Sequence, residues 1–291
     1  MTVSLNKGRW EEYRQHTFRL TPDRQLRSKQ EAISFVKERG FVFFWPIQGI
    51  LLPNLWQAVA GDRPVASEHD DPGHVTWGWK DSLLGERLWY YAKILRKRAT
   101  IVSLEVAPLF YALSENYGSP EEDYRIQYEQ GRMTQEAKSV YEALLHKGPL
   151  DTVALRKASR LSSRESDYRF NRALVALQSD LKILPIGVAQ AGAWNYAFVY
   201  DLVPRHFPDL PEQARFIQEN HARRELARLY LESVGAVQSR DVVKLFGWSR
   251  SASETALQDL VSKGLIQANV SMDDESGTWY TLTSLLEGSS R

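Results

Sequence analysis

Between Thr134 and Asp201 the hydrophobic period of the chain changes twice, and that pattern leaves few folds open. Ala137, Val140, Tyr141, Leu144 and Leu145 recur at helical spacing, and Gly148-Pro149 ends that helix. Asp151 or Thr152 can cap a short second helix containing Val153 and Leu155. Ser162, with Glu165 three residues on, has the spacing of a capping box for a third helix, whose apolar face is Phe170, Ala173, Leu174 and Leu177. The period then drops to two. Lys182–Val188 and Trp194–Tyr200 read as strands joined by the loop Ala189–Ala193. Three helices and a hairpin in about seventy residues describe a helix-turn-helix with a wing.

The third helix also carries charge. Arg156, Lys157, Arg160, Arg164, Arg169 and Arg172 fall close together, against only Glu165 and Asp167. Tyr168 and Asn171 share the outward side with Arg164 and Arg172. These side chains suit phosphates and base edges in a major groove. The competing reading is a solvated face softened by i,i+4 ion pairs.

Bulk composition offers no shortcut. The chain has 291 residues and a formal net charge of +1, so nucleic-acid affinity has to come from local segregation of charge. Such segregation exists: residues 101–130 hold one basic and six acidic side chains, residues 131–201 ten and seven. Length predicts two or three domains. The absence of cysteine excludes disulfides, thiol catalysis and cysteine-ligated zinc. No apolar run reaches membrane-spanning length, and the polar N-terminus lacks a signal-peptide core, which fits a cytoplasmic protein.

In chain order, residues 1–27 read as a basic arm with one helical piece. Ser28–Arg39 reads as a helix stopped by Gly40, and Phe41–Trp45 as a run too apolar to be exposed. Ile47–Val59 is expected to be helical with an interruption at Pro53, and Gly61–His74 to be a polar loop. Trp77–Leu84 is expected to precede a helix over Glu86–Lys97, and Asp81 is available to cap a helix beginning near Ser82. Thr100–Val106 alternates like a strand. After Pro204–Pro211, helices over Arg215–Val234, Asp241–Phe246 (capped by Ser239) and Ser251–Lys263 precede strands at Leu265–Val270 and Thr278–Leu282. The helix-helix-helix-hairpin order thus recurs. Its outer helix face is neutral there, which points to packing or dimerisation. The expected organisation is an arm (1–27) and three winged-helix units (28–118, 119–203 and 204–291), an α+β and helix-rich fold class.

"RGFVFFWPIQGI" at 39–50 and "WGWKDSLLGERLWYY" at 77–91, with this layout, resemble the bacterial crosslink-repair and alkylpurine DNA glycosylases of the AlkZ/YcaQ type, built from three tandem winged helices. The resemblance spans roughly 28–285 and implies binding to double-stranded DNA. It does not carry the chemistry across. Where that family has a Gln and a second Asp or Gln to place the attacking water, this chain has Phe43, Phe44 and Trp45. The family's His-Glu pair falls on Lys80 and Asp81. A slipped register offers Gln48, but Pro46 interrupts the strand there.

Other constellations carry less. Glu68, His69, Asp70, Asp71 and His74 read as a solvated loop rather than a metal site, because their spacing is adjacent and Pro72-Gly73 turns the chain. No phosphate-binding, dinucleotide or HExxH motif occurs, so no cofactor and no metal are expected. Trp56 and Trp89 read as core. Trp77 and Trp79 are open between core and stacking on a flipped base. Three functions follow: a DNA-binding protein related to the repair glycosylases and recognising damaged or structured DNA, an active glycosylase using Asp81, or a protein-interaction scaffold. The expected DNA-contacting residues are Lys80, Lys93, Arg96, Lys97, Arg164, Arg169, Arg172, Trp77 and Trp79.

Overall fold

A computed structural model describes residues 3–64, 73–192, 194–273 and 275–286. The fold is α+β and rich in helix. The chain divides into two compact units, one formed by Met1–Trp77 with Gln218–Arg291, the other by Gly78–Ile217.

In the first unit the two ends of the chain fold together. Helices Glu219–Val234, Ser239–Phe246 and Arg250–Ser262 are followed by antiparallel strands Ile266–Met272 and Glu275–Leu282. Ser4–Leu5 adds to that sheet in parallel, pairing Leu5 with Met272. The arm is therefore part of the fold. Its helix Lys7–Thr17 caps the open end of Glu219–Val234: Trp10 Nε1 donates to the Val234 carbonyl, the Tyr13 hydroxyl to that of Glu232 and Thr17 Oγ1 to that of Ser233, each at 2.7 Å. Those carbonyls belong to a helix's last turn, which has no partners within the helix, so the arm satisfies groups that water would otherwise serve. Gly235 ends the helix at φ 82°, and a Cβ there would meet Tyr13 and Leu285 at 2.9 Å.

In the second unit, Gln135–Lys147, Thr152–Ala158 and Asp167–Ser179 pack on a sheet ordered Leu150–Asp151, Ala197–Leu202, Ile183–Ala189. Their core joins Val140, Leu144, Leu155, Phe170, Leu177 and Ile183. Asp151 caps the second helix, accepting from the amides of Val153 and Ala154 at 2.8 and 3.0 Å. Among the described residues, the order helix, short strand, helix, helix, two strands occurs three times, starting at Lys29, Gln135 and Glu219.

Several local expectations are corrected. The stretch Glu86–Lys97 is not a helix. Tyr90–Ala92 is a strand paired with Thr100–Val102, and Arg87, Arg96 and Lys97 adopt φ near +55°, which no α-helix accommodates. The run Leu88–Ala92 is short and aromatic, a pattern that fits a strand as well as a helix. The helix lies earlier, at Gly73–Leu83, so Asp81 sits in its last turn and caps nothing there. Of Ile47–Val59, only Leu55 onward is helical, capped by Asn54, which follows Pro53. The Ser162–Glu165 box does not form: Arg164–Ser166 is a 3-10 turn, and the α-helix starts at Asp167. Gln238, not Ser239, is the cap of the helix Ser239–Phe246, and it forms a capping box with Asp241. Most of the acidic-histidine loop, Glu68 to Asp71, lies outside the described residues.

Candidate nucleic-acid interface and the Lys80 cluster

The helix Asp167–Ser179 buries Phe170, Ala173, Leu174 and Leu177 and exposes the rest. Arg164, Tyr168 and Arg172 follow one another at four-residue steps and are all exposed, with Tyr168 at 73%. Arg164 and Arg172 form no ion pair among the described residues, whereas Arg169 reaches Glu136 at 3.3 Å. Arg156 is turned inward, paired with Asp167 and stacked 4.4 Å over the Phe170 ring. Lys93, Arg96 and Lys97 sit at the other end of this helix. The Lys93 amide donates to Gln178 Oε1, and Ser179 Oγ donates to the Lys93 carbonyl at 2.8 Å. Burial, then Arg98, lowers the Lys93 pKa. Cations beside a helix C-terminus are also favoured by the helix dipole, so this end has a structural reason to be basic.

Lys80 is placed differently. It is only 1% exposed, on the inner side of Gly73–Leu83 with Thr76 and Leu83. Its ammonium meets Asp81 Oδ1 at 2.7 Å, donates to the Tyr196 hydroxyl at 3.1 Å and lies 4.5 Å over the Phe198 ring. The Tyr196 hydroxyl in turn donates to Asp81 Oδ1 at 3.0 Å, closing a three-membered network. Burial pulls the Lys80 pKa down to about 8, against the opposing pull of Asp81. The Asp81 side chain keeps 25% exposure, so the network has one open side. Lys80 and Asp81 are thus together, but Lys80 does not lie on the surface with the other cations.

Trp77 packs edge-on against Trp45, which also contacts Phe44 and Trp56. Trp77 and Trp79 are both partly exposed. Trp56 and Trp89 are buried, as core residues. Phe43 and Phe44 are also buried.

Three residues were not singled out from sequence. The alternation predicts Tyr196 within a strand, but the strand begins at Ala197 and Tyr196 turns to Lys80. Trp194, placed in the same strand, is 90% exposed in the turn before it. Lys182 is a second buried lysine, bonded to Asn116 Oδ1, and burial lowers its pKa to about 8. The alternation Trp194, Tyr196, Phe198, Tyr200 gave a signal for a strand and none for where it starts.

A family model described as AlkZ related matches residues 26–247. Among solved structures, a DNA glycosylase AlkZ from Streptomyces sahachiroi superposes with a TM-score of 0.59 at 14% identity, covering 98% of this chain and 71% of that one. At that identity the likeness is one of fold. No curated protein matches.

Proposed function

The chain belongs to the AlkZ-related family, and we propose that it works as a DNA-binding protein built of winged helices, recognising damaged or structured duplex DNA. On this proposal the three repeats of element order are the three winged helices, with units at 28–118, 119–203 and 204–291. The supporting observation is the exposed row Arg164, Tyr168 and Arg172, with two arginines that no acid neutralises among the described residues. Arg169, Lys93, Arg96 and Lys97 extend the basic surface along the same helix. Phosphate contacts supply most of the affinity, and Tyr168 and Asn171 have the chemistry to reach bases. Because each neutralised phosphate releases counterion, duplex affinity should fall steeply with salt, with a log-log slope of about −5 if all six cations engage. Anisotropy titrations of a labelled duplex at several salt concentrations test this. Affinity that is absent, or indifferent to salt, would remove the DNA-binding reading and leave the scaffold.

A second reading, an active glycosylase, is favoured by the Asp81 carboxylate, which is partly exposed, held in place by Tyr196 and not used as a helix cap. N-glycosidic cleavage needs a positioned water and a group that stabilises developing positive charge on the sugar. The aromatic side chains of Phe43, Phe44 and Trp45 offer neither, so little release of simple alkylpurines is expected. Incubating wild type and Asp81→Asn with alkylpurine and crosslinked duplexes separates the readings. Base release by wild type alone, with both proteins folded, would establish the glycosylase.

A further inference from the structure

We propose that Trp194, in the turn of the hairpin formed by Ile183–Ala189 and Ala197–Leu202, is a wedge that stacks into duplex DNA at a position that has lost its base. This rests on the DNA-binding reading above and deepens it, by naming the class of damage that the wing selects.

Trp194 is 90% exposed and makes no hydrogen bond or ring contact among the described residues. A single exposed aliphatic side chain is ordinary, but an indole has a large, flat apolar surface, and this one is held clear of its neighbours. The turn beneath it is fixed. The Asn195 amide donates to the Gly192 carbonyl at 3.2 Å. Gly192 at φ 78° and Asn195 at φ 52° supply the left-handed backbone, which these two residue types adopt at least cost. Tyr196, next along the chain, is tied down. Its ring lies edge-on to Phe198 at 5.5 Å, and its hydroxyl donates to Asp81 at 3.0 Å and accepts from Lys80 at 3.1 Å. The buried lysine and its carboxylate thus anchor the foot of the turn that carries Trp194. A stacking side chain on a fixed support loses less freedom on binding than one on a loose loop.

The surroundings say what the indole meets. The turn stands beside the short helix Thr152–Ala158, since a Cβ at Gly192 would lie 3.8 Å from Val153 Cγ2. Val153 and, one turn on, Lys157 are exposed, and exposed Arg160, Arg164 and Arg172 follow along the chain. Between Val153 and Arg172 the acids are Glu165 and Asp167, and Asp167 is neutralised by Arg156. A polyanion with flat apolar faces, which is what a nucleic acid is, matches both the cations and the indole. Stacking uses faces that every base has, so it carries no sequence preference. Driving an indole between two stacked base pairs requires separating them first. Where a base is missing the stack is already open, and the indole fills the gap.

The test compares a duplex holding one tetrahydrofuran abasic analogue with the same duplex intact, by anisotropy, for the full chain as wild type, Trp194→Ala and Trp194→Phe. Trp194 supports no core, so both variants should fold. Wild type should bind the abasic duplex about tenfold more tightly, the worth of one stacked base. Trp194→Ala should bring that ratio close to unity while affinity for the intact duplex and its salt slope stay unchanged, because no phosphate contact is lost. Trp194→Phe should keep most of the preference. A 2-aminopurine beside the abasic position should be quenched by wild type and not by Trp194→Ala. Equal affinity of wild type for the two duplexes, an unchanged ratio in Trp194→Ala, or an equal loss on both duplexes would overturn the proposal and leave DNA binding intact. Failure to bind either duplex would overturn the DNA-binding reading and this proposal with it.

Discussion

The Tyr196 hydroxyl lies 3.0 Å from Asp81 Oδ1, linking residues 115 positions apart. It joins the turn of the hairpin, just before the strand Ala197–Leu202, to the last turn of the helix Gly73–Leu83 and accepts from the buried Lys80 ammonium at 3.1 Å. A buried cation needs its hydrogen bonds satisfied as well as its charge matched, and Asp81 alone fills one of three N–H positions.

Tyr196→Phe keeps the ring and removes the hydroxyl. Losing a hydrogen bond to a charged group in a buried site costs about 1–3 kcal/mol. Urea unfolding should show a lower midpoint with an unchanged slope. A midpoint equal to wild type would mean the hydroxyl contributes nothing to holding the cluster.

The two buried lysines predict an unusual pH profile. Lys80 and Lys182 have pKa values lowered from 10.5 to about 8 by burial. Below pH 8 both folded and unfolded chains are protonated, and the fold carries the full penalty of two buried charges. Between pH 8 and about 10 the folded chain gives up protons that the unfolded chain retains, so stability rises with pH. Each lysine contributes on the order of 3 kcal/mol across this window. Above pH 10 the direction reverses, because burial holds Tyr90, Tyr91, Tyr200 and Tyr230 protonated in the fold while they ionise in the unfolded chain. Unfolding free energies measured from pH 7 to 11 should pass through a maximum near 10, and Lys80→Met should roughly halve the rise. A flat profile from 8 to 10 would contradict the burial of these amines as charged groups.

The arm is predicted to be integral to its unit. Trp10 is 7% exposed, packs edge-on against Trp279 at 5.5 Å and hydrogen-bonds the end of Glu219–Val234. Trp10→Ala should destabilise by about 3–5 kcal/mol, the usual cost of deleting a buried aromatic. A change under about 0.5 kcal/mol in denaturant unfolding would show a dispensable arm.

How much of this was legible follows from the range of the forces involved. The helices at Lys29–Arg39, Gln135–Lys147 and Asp167–Ser179 and the two strands after the last were readable, because hydrophobic period and a cap such as Asp151 are local. The helix over Glu86–Lys97 failed because Trp89, Tyr90 and Ile94 mimic helical spacing, while the backbone at Arg87, Arg96 and Lys97 is left-handed, which three ordinary side chains do not announce. The pairing of Ser4–Leu5 with Ile266–Met272 and the turn of Tyr196 toward Lys80 depend on partners more than a hundred residues away. At the candidate site, the exposure of Arg164 and Arg172 was readable from helical phase, but the burial of Lys80 was not, since lysine is rarely placed inside.

Gly235 tests one backbone requirement. Gly235→Ala forces an L residue to φ 82° and places its Cβ 2.9 Å from Tyr13 and Leu285. Strain of this kind costs on the order of 1–3 kcal/mol, so the melting midpoint should fall. An unchanged midpoint would show that the helix end and the arm adjust without penalty.

The most direct measurement is duplex binding by Arg164→Glu/Arg172→Glu across a salt series. Both side chains are exposed on the helix Asp167–Ser179 and the turn before it, and neither supports the core, so the variant should fold as wild type does. DNA binding through this face predicts an affinity loss of at least tenfold at low salt and a log-log slope shallower by about two, one for each lost phosphate contact. Wild-type affinity and an unchanged slope in the double variant would contradict it.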